Sequence, residues 1–145
     1  MPTIAIVEDN QATNDHLKGL VKSLEGTEVF QAFDRASAEQ LIASRQFDLV
    51  IVDIELGQGP KDKYGGLGIL SSLSDKRTVT LVVSGMPEQN LPDVAISLRA
   101  YDFIGKPIDD LDFLNKLEHA LAWQKQDETE QTQIQFHRPP PVLWR

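Results

Sequence analysis

The sequence contains no cysteine, so neither a disulfide framework nor a thiolate metal site can form. Basic residues are also few: 14 Lys and Arg stand against 22 Asp and Glu, which gives a formal net charge of -8. Because nucleic-acid binding depends on neutralising phosphates, this balance argues against direct nucleic-acid binding by the domain. No apolar run approaches the ~20 residues that span a bilayer, and residues 1 to 8 lack the features of a signal peptide. These absences predict a cytoplasmic protein without membrane contact.

Short apolar runs alternate with segments of helical spacing along residues 1 to 123. The runs that predict strands cover residues 4–7, 29–30, 49–52, 79–83 and 101–104. Apolar residues three or four apart predict a helix after each strand: Leu17, Leu20, Val21 and Leu24; Ala38, Leu41 and Ile42; Leu67, Leu70 and Leu73; Leu91, Val94, Ala95 and Leu98; Leu114, Leu117 and Leu121. Five such units predict an α/β fold, a doubly wound parallel sheet with helices on both faces.

Local signals predict where some helices begin and end. Gly26 stands where a C-cap of the first helix is expected. Ser37, with Gln40 three residues later, resembles a capping box for the second helix. Asp109 and Asp110 precede the last helix. From residue 124 the apolar periodicity stops, so residues 124–145, which include three consecutive prolines, are predicted to be a polar, proline-rich tail or linker.

Polar side chains follow four of the predicted strands. Glu8 and Asp9 follow the first, Asp53 the third, Ser84 the fourth and Lys106 the fifth. Each residue alone is explained as a turn or loop residue. In a doubly wound sheet, however, the carboxyl ends of the strands meet at one crevice, where ligands bind.

The predicted crevice requires cations. Each pair of carboxylates ~4 Å apart repels by about 4 kcal/mol at an effective dielectric near 20. Mg²⁺ suits such a cluster because it takes one or two carboxylates, keeps several waters and shares oxygens with a phosphate. Lys106 supplies a fixed positive charge, so Asp53 can act as a carboxylate nucleophile toward phosphorus.

Together these residues resemble the signature of response-regulator receiver domains of two-component signalling systems. The resemblance covers residues 1 to about 123 and is carried by Glu8-Asp9, Asp53, Ser84 and Lys106-Pro107. It implies a flavodoxin-like fold with strand order 2-1-3-4-5. It also implies that Asp53 is phosphorylated, that the domain catalyses only its own phosphorylation and dephosphorylation, and that it is not a turnover enzyme.

The resemblance assigns a role to each residue of the crevice. Glu8, Asp9, Asp53 and the main-chain carbonyl of Glu55 would hold Mg²⁺. Ser84 would hydrogen-bond the phosphoryl group and Lys106 would pair with it. Phe103, three residues before that lysine, aligns with the aromatic switch of the family.

The resemblance further implies partners. The phosphoryl donor would be a sensor histidine kinase or a phosphotransfer protein. Phosphorylation would change a surface formed by the fourth predicted helix, the last strand and the last helix, which would bind a downstream protein or a second copy of the chain. Ile96 and Tyr101 lie outside the apolar stripe of that region and are candidate contacts, although isolated surface apolar residues need no functional explanation.

Two features depart from the family pattern. Residues 57–64 form a longer segment than usual after Asp53 and lack the family's leucine-proline step, so this segment either gates the site, contacts a partner or is a neutral insertion. Glu55, two residues after Asp53, either lengthens the lifetime of the phosphoryl group or points to solvent.

Two other functions are consistent with parts of the sequence. Asp53-Ile54-Glu55 weakly resembles the nucleophile motif of haloacid-dehalogenase phosphatases, although that family has no acidic pair two βα units earlier. A receiver fold that binds partners without phosphorylation is the other alternative.

Overall fold

The computed structural model describes residues 1–56, 65–73, 76–85 and 99–126. Within these ranges lie five strands: β1 (Thr3–Val7), β2 (Glu28–Ala32), β3 (Leu49–Asp53), β4 (Val79–Ser84) and β5 (Asp102–Gly105). The helices in the same ranges are α1 (Gln11–Lys22), α2 (Arg35–Ser44), α3 (Gly65–Leu73) and α4 (Asp110–Lys125). The helix predicted from Leu91 to Leu98, the segment 57–64 and most of the predicted tail lie outside the described residues.

The sheet has the predicted organisation. All neighbouring strands are parallel and stand in the order β2-β1-β3-β4-β5, which confirms the strand order implied by the resemblance. Every residue of β3 and of β4 is buried. The absence of polar alternation in these two strands follows from their position, since helices cover a parallel sheet on both faces.

Successive residues of each strand face opposite layers of helices. Ile4 and Ile6 of β1 lie in a core cluster with residues of α1 and α4. Ala5 and Val7 lie in a second cluster with residues of α2 and α3. The helices therefore pack on both faces of the sheet, as predicted for a doubly wound fold.

The predicted end of the first helix was wrong. α1 ends at Lys22, and Gly26 lies in the turn that follows, with a φ of 81° that favours glycine. Side-chain hydroxyls bind the last carbonyls instead: Ser23 donates to the Leu20 carbonyl, and Thr27 donates to those of Val21 and Leu24. These hydroxyls provide hydrogen-bond donors for carbonyls at the end of the helix, so no glycine is needed at the cap.

The predicted capping box of the second helix was also wrong. The N-cap is Asp34, whose carboxylate accepts a 2.7 Å hydrogen bond from the backbone N–H of Ser37. This backbone hydrogen bond lowers the pKa of Asp34. Ser37 thus lies in the first turn, because the aspartate three residues earlier already caps the helix.

The last helix begins as predicted and extends slightly further than the apolar pattern. Asp109 is the N-cap and accepts a hydrogen bond from the N–H of Asp112. The helix reaches Lys125, and the Arg77 guanidinium donates to the Gln126 carbonyl. The predicted domain boundary at residue 123 stays a prediction, since residues 127–145 lie outside the described part of the chain. No described helix has the length and apolar character that crossing a bilayer requires.

Candidate functional site

Three carboxylates meet at the carboxyl edge of the two central strands. β1 and β3 are neighbours in register, with Val7 opposite Val52, so Glu8 and Asp53 leave the sheet side by side. Carboxylate oxygens of Glu8, Asp9 and Asp53 all lie within 4.8 Å of one another. Glu8 and Asp53 are only 1% and 2% exposed, so bulk water screens their repulsion poorly.

Lys106 bridges two of these carboxylates. Its Nζ lies 2.5 Å from Glu8 Oε1 and 3.0 Å from Asp53 Oδ2. Lys106 follows β5, and its backbone N–H donates to the Ser84 carbonyl, which holds the segment against the end of β4. The predicted lysine therefore reaches the acidic cluster from the end of β5, two strands away from β3 in the sheet.

The environment changes the pKa values of both partners. Burial raises the pKa of Asp53 above its ordinary value, against the hydrogen bond with Glu8 and the charge of Lys106, which lower it. Burial lowers the pKa of Lys106, but the hydrogen bond to Glu8 and the charge of Asp53 outweigh it and raise that pKa overall. Lys106 thus stays protonated at neutral pH. The charged form of Asp53 is disfavoured by burial and is stabilised by the positive charge of Lys106.

Ser84 and Glu55 complete the rim of the cluster. The Glu55 backbone N–H donates to Asp53 Oδ1 at 2.9 Å, whereas Lys106 binds the other carboxylate oxygen, Oδ2. Ser84, 1% exposed at the end of β4, donates from Oγ to Glu55 Oε1 at 3.3 Å. The Glu55 side chain therefore lies over the site and does not point away from it into solvent.

Glycines let α3 approach the backbone of the acidic strand. A Cβ on Gly66 would lie 2.1 Å from the Asp53 carbonyl oxygen, a distance that only glycine can accommodate. The Gly66 N–H donates to the Ile54 carbonyl at 2.9 Å. Gly65 lies against Leu56, whose carbonyl oxygen would be 3.1 Å from an added Cβ. The start of α3 thus holds the main chain around Asp53 in place.

Asn14 is a buried polar residue that the sequence reasoning missed. It lies on α1 with no exposed surface, and its amide donates to the Glu8 carbonyl at 2.9 Å and to the Ala32 carbonyl at 3.1 Å. A signal was available, since Asn14 precedes Leu17 and Val21 at helical spacing on the buried stripe.

The predicted switch residue and one of the two predicted partner contacts pack against apolar neighbours. Phe103, half-buried on β5, packs against a cluster formed by Ile54, Leu70, Val82 and Ala100. Tyr101 is half-buried beside Trp123, with ring centroids 6.2 Å apart. Ile96 lies outside the described residues.

The donor set fits a hard divalent cation. Carboxylate oxygens are ligands that Mg²⁺ prefers, and two of the three acidic residues are buried where an additional positive charge relieves their repulsion. The Ser84 hydroxyl and the Lys106 ammonium supply donors for an anion beside Asp53. The arrangement can therefore hold a metal and a phosphate-like group together.

Comparison with known proteins agrees with this chemistry. The family model described as "Response regulator receiver domain" matches residues 4–118, which is most of the chain. The chain belongs to this family. The match favours the receiver family over the haloacid-dehalogenase phosphatases of the alternative prediction.

Several relatives of this receiver are known regulators. It is 29% identical over 122 residues to the aerobic respiration control protein ArcA of Escherichia coli, a match that covers 83% of this chain and 49% of ArcA. It is 29% identical over 109 residues to the sensory transduction protein LytR of Streptococcus agalactiae, covering 73% and 42% of the two chains. The receiver spans about half the length of the curated relatives it matches.

Solved structures show the same fold. The signal receiver domain of an HD domain-containing protein from Pseudomonas fluorescens matches with a TM-score of 0.76 and 30% identity, covering 87% of this chain and 98% of that one. A CheY-like receiver from Methanospirillum hungatei matches with a TM-score of 0.76 and 25% identity, over 86% and 97%. Both matches extend over almost the entire length of a receiver domain.

Proposed function

We propose that this receiver accepts a phosphoryl group on Asp53 in a Mg²⁺-dependent reaction. The observation that carries the proposal is the position of the Asp53 carboxylate, which lies within 4.8 Å of Glu8 and Asp9 oxygens and 3.0 Å from Lys106 Nζ. Glu8 and Asp9 beside this buried carboxylate can bind a cation, and Lys106 provides a fixed positive charge next to it.

Each neighbour of Asp53 has a role in this reaction. An Asp53 carboxylate oxygen attacks phosphorus and the bond from phosphorus to the donor breaks, which for a phosphohistidine is the P–N bond and releases the donor's imidazole. Lys106 stabilises the charge that develops on the phosphoryl oxygens. Ser84, whose hydroxyl donates to Glu55 Oε1 in the structure, would turn that hydroxyl to the new group. Mg²⁺, when bound by Glu8, Asp9, Asp53 and the Glu55 main-chain carbonyl, would neutralise further negative charge on the phosphoryl group.

The proposed donor is the phosphohistidine of a sensor kinase or phosphotransfer protein, as in the family. The receiver would catalyse its own phosphorylation and dephosphorylation and would not turn over other substrates. The negative charge added at Asp53 would draw Ser84 and Lys106 inward, shift Phe103 and alter the surface that includes β5 and α4. That surface would then bind a downstream protein or a second copy of the receiver.

Modification by acetyl phosphate tests the proposal. The full chain is incubated with Mg²⁺ and acetyl phosphate, and phosphorylation is followed by intact mass. We expect one phosphoryl group, loss of modification without Mg²⁺, and no modification of Asp53→Asn. Asp48→Asn is the matched control, because Asp48 lies at the opposite end of β3, where its carboxylate accepts from Thr3.

Two results would contradict the proposal. Modification that persists in Asp53→Asn would place the acceptor elsewhere. No Mg²⁺-dependent modification of the wild type, together with no binding of beryllofluoride, would favour a receiver that binds its partners without phosphorylation.

A further inference from the structure

We infer that Asn14 is a positioning residue for the metal-binding carboxylates, because its amide holds the peptide group that joins Glu8 to Asp9. The inference rests on the proposed function, since it concerns Mg²⁺ binding at the same cluster. It assigns a role in the site to a residue that carries no charge and lies in the first turn of α1.

Asn14 joins three elements at the edge of the sheet. Its Nδ2 donates to the Glu8 carbonyl after β1 and to the Ala32 carbonyl at the end of β2. The Ala32 carbonyl also accepts the Glu8 backbone N–H at 3.1 Å. Glu8 is therefore held through its own N–H and its own carbonyl, and Asn14 supplies the second contact.

The orientation of the Asn14 amide follows from its partners. Its Nδ2 faces two carbonyl oxygens, which only an NH₂ group can bind without repulsion. Its Oδ1 accepts from Gln31 Nε2 at 2.9 Å, and Gln31 Nε2 also donates to Asp15 Oδ1 at 2.9 Å. The buried amide thus uses both of its hydrogens and its oxygen.

The Glu8 carbonyl determines the direction in which Asp9 leaves the strand. A peptide group is planar, so fixing this carbonyl also fixes the plane that leads to the Asp9 Cα. Mg²⁺ requires nearly ideal octahedral geometry, and a ligand that moves away from it costs affinity. Loss of a residue that orients a metal ligand typically weakens metal binding about 10- to 100-fold.

The test is a Mg²⁺ titration of the full chain, followed by amide chemical shifts. Asn14→Leu keeps the volume of the side chain and removes its hydrogen bonds. We expect the Kd for Mg²⁺ to rise at least about tenfold. Thr78→Val is the control, because Thr78 is also buried and donates to the Phe47 carbonyl at 2.8 Å, but at the opposite end of the sheet. Both variants should lose stability, and only Asn14→Leu should lose Mg²⁺ affinity.

A second variant keeps the inference testable if Asn14→Leu does not fold. Gln31→Met removes the donor to Asn14 Oδ1 and leaves Asn14 in place, so we expect a rise of several-fold in the Kd. An Mg²⁺ affinity equal to that of the wild type in Asn14→Leu, or in Gln31→Met if Asn14→Leu is unfolded, overturns the inference alone. No Mg²⁺ binding by the wild type overturns the proposed function and the inference together.

Discussion

Replacing Lys106 by methionine should destabilise the receiver strongly at neutral pH. The change removes the ammonium that lies 2.5 Å from Glu8 Oε1 and 3.0 Å from Asp53 Oδ2 while keeping a similar chain length. It leaves the buried carboxylates of Glu8 and Asp53 without their cation. The free energy of unfolding should fall because buried charges without a partner are costly.

The size of the effect follows from the distances and the burial. Each contact is worth about 5–7 kcal/mol at an effective dielectric near 20, before the cost of removing the charges from water. Removing one partner of a buried ion pair typically lowers the free energy of unfolding by about 3–5 kcal/mol. Because the Lys106 side chain is 27% exposed, we expect the lower end, about 3 kcal/mol, or about 10 °C in Tm.

The loss should also depend on pH. Removing Lys106 removes a charge and a hydrogen bond that lower the pKa of Asp53, so this pKa rises further above the ordinary aspartate value of 3.8. Between that value and the raised pKa, the folded variant binds more protons than the unfolded chain. The variant therefore loses stability as pH rises through this window, and its difference from the wild type should be smaller at pH 5 than at pH 8.

Urea unfolding at these two pH values measures both effects. Lys116→Met is the matched control, because the Lys116 side chain is 13% exposed and pairs along α4 with one carboxylate, that of Asp112, which is 49% exposed. A pair of this kind, four residues apart on a helix and with its carboxylate open to solvent, contributes about 0.3–0.5 kcal/mol. If Lys106→Met costs no more than Lys116→Met at pH 8, the ion pairs of Lys106 do not stabilise the acidic cluster and the reasoning is refuted.

Two further substitutions test other parts of the site. Gly66→Ala should cost about 3 kcal/mol or more in urea unfolding because its Cβ would meet the Asp53 backbone, whereas Gly19→Ala, with open space around it, should stabilise α1 by up to about 1 kcal/mol; equal effects would contradict the close approach at Gly66. Glu55→Ala removes the carboxylate beside Ser84 and should shorten the lifetime of the phosphorylated receiver several-fold by easing the approach of water, measured by loss of the phosphoryl group over time. A rate unchanged from that of Glu39→Ala, a control on exposed α2 surface, would show that Glu55 does not protect the phosphoryl group.

The parts of the fold that could be predicted depend on long, uniform patterns. β3 and β4 were predictable because continuous apolar residues are required in strands covered on both faces. The meeting of Glu8, Asp53 and Lys106 was predictable because parallel strands bring their carboxyl ends to one edge. These predictions needed only the identity and order of the elements.

The features that could not be predicted depend on contacts that only the folded chain decides. Asp34 and Ser37 can both cap a helix, and only the path of the chain decides between them. The role of Asn14 depends on the Glu8 and Ala32 carbonyls, which the fold brings together and which carry no side-chain signal. The contact of Glu55 with Ser84 likewise depends on how two adjacent strands end.

The close contact between Gly65 and Leu56 determines how well the chain tolerates insertions and deletions next to the site. Leu56 is buried and Gly65 lies against it, so the eight residues between them begin and end at neighbouring, anchored points. The entropic cost of closing such a segment grows only slowly with its length. Residues can therefore be gained or lost between these two points at little entropic cost, while the Gly66 N–H still donates to the Ile54 carbonyl beside Asp53.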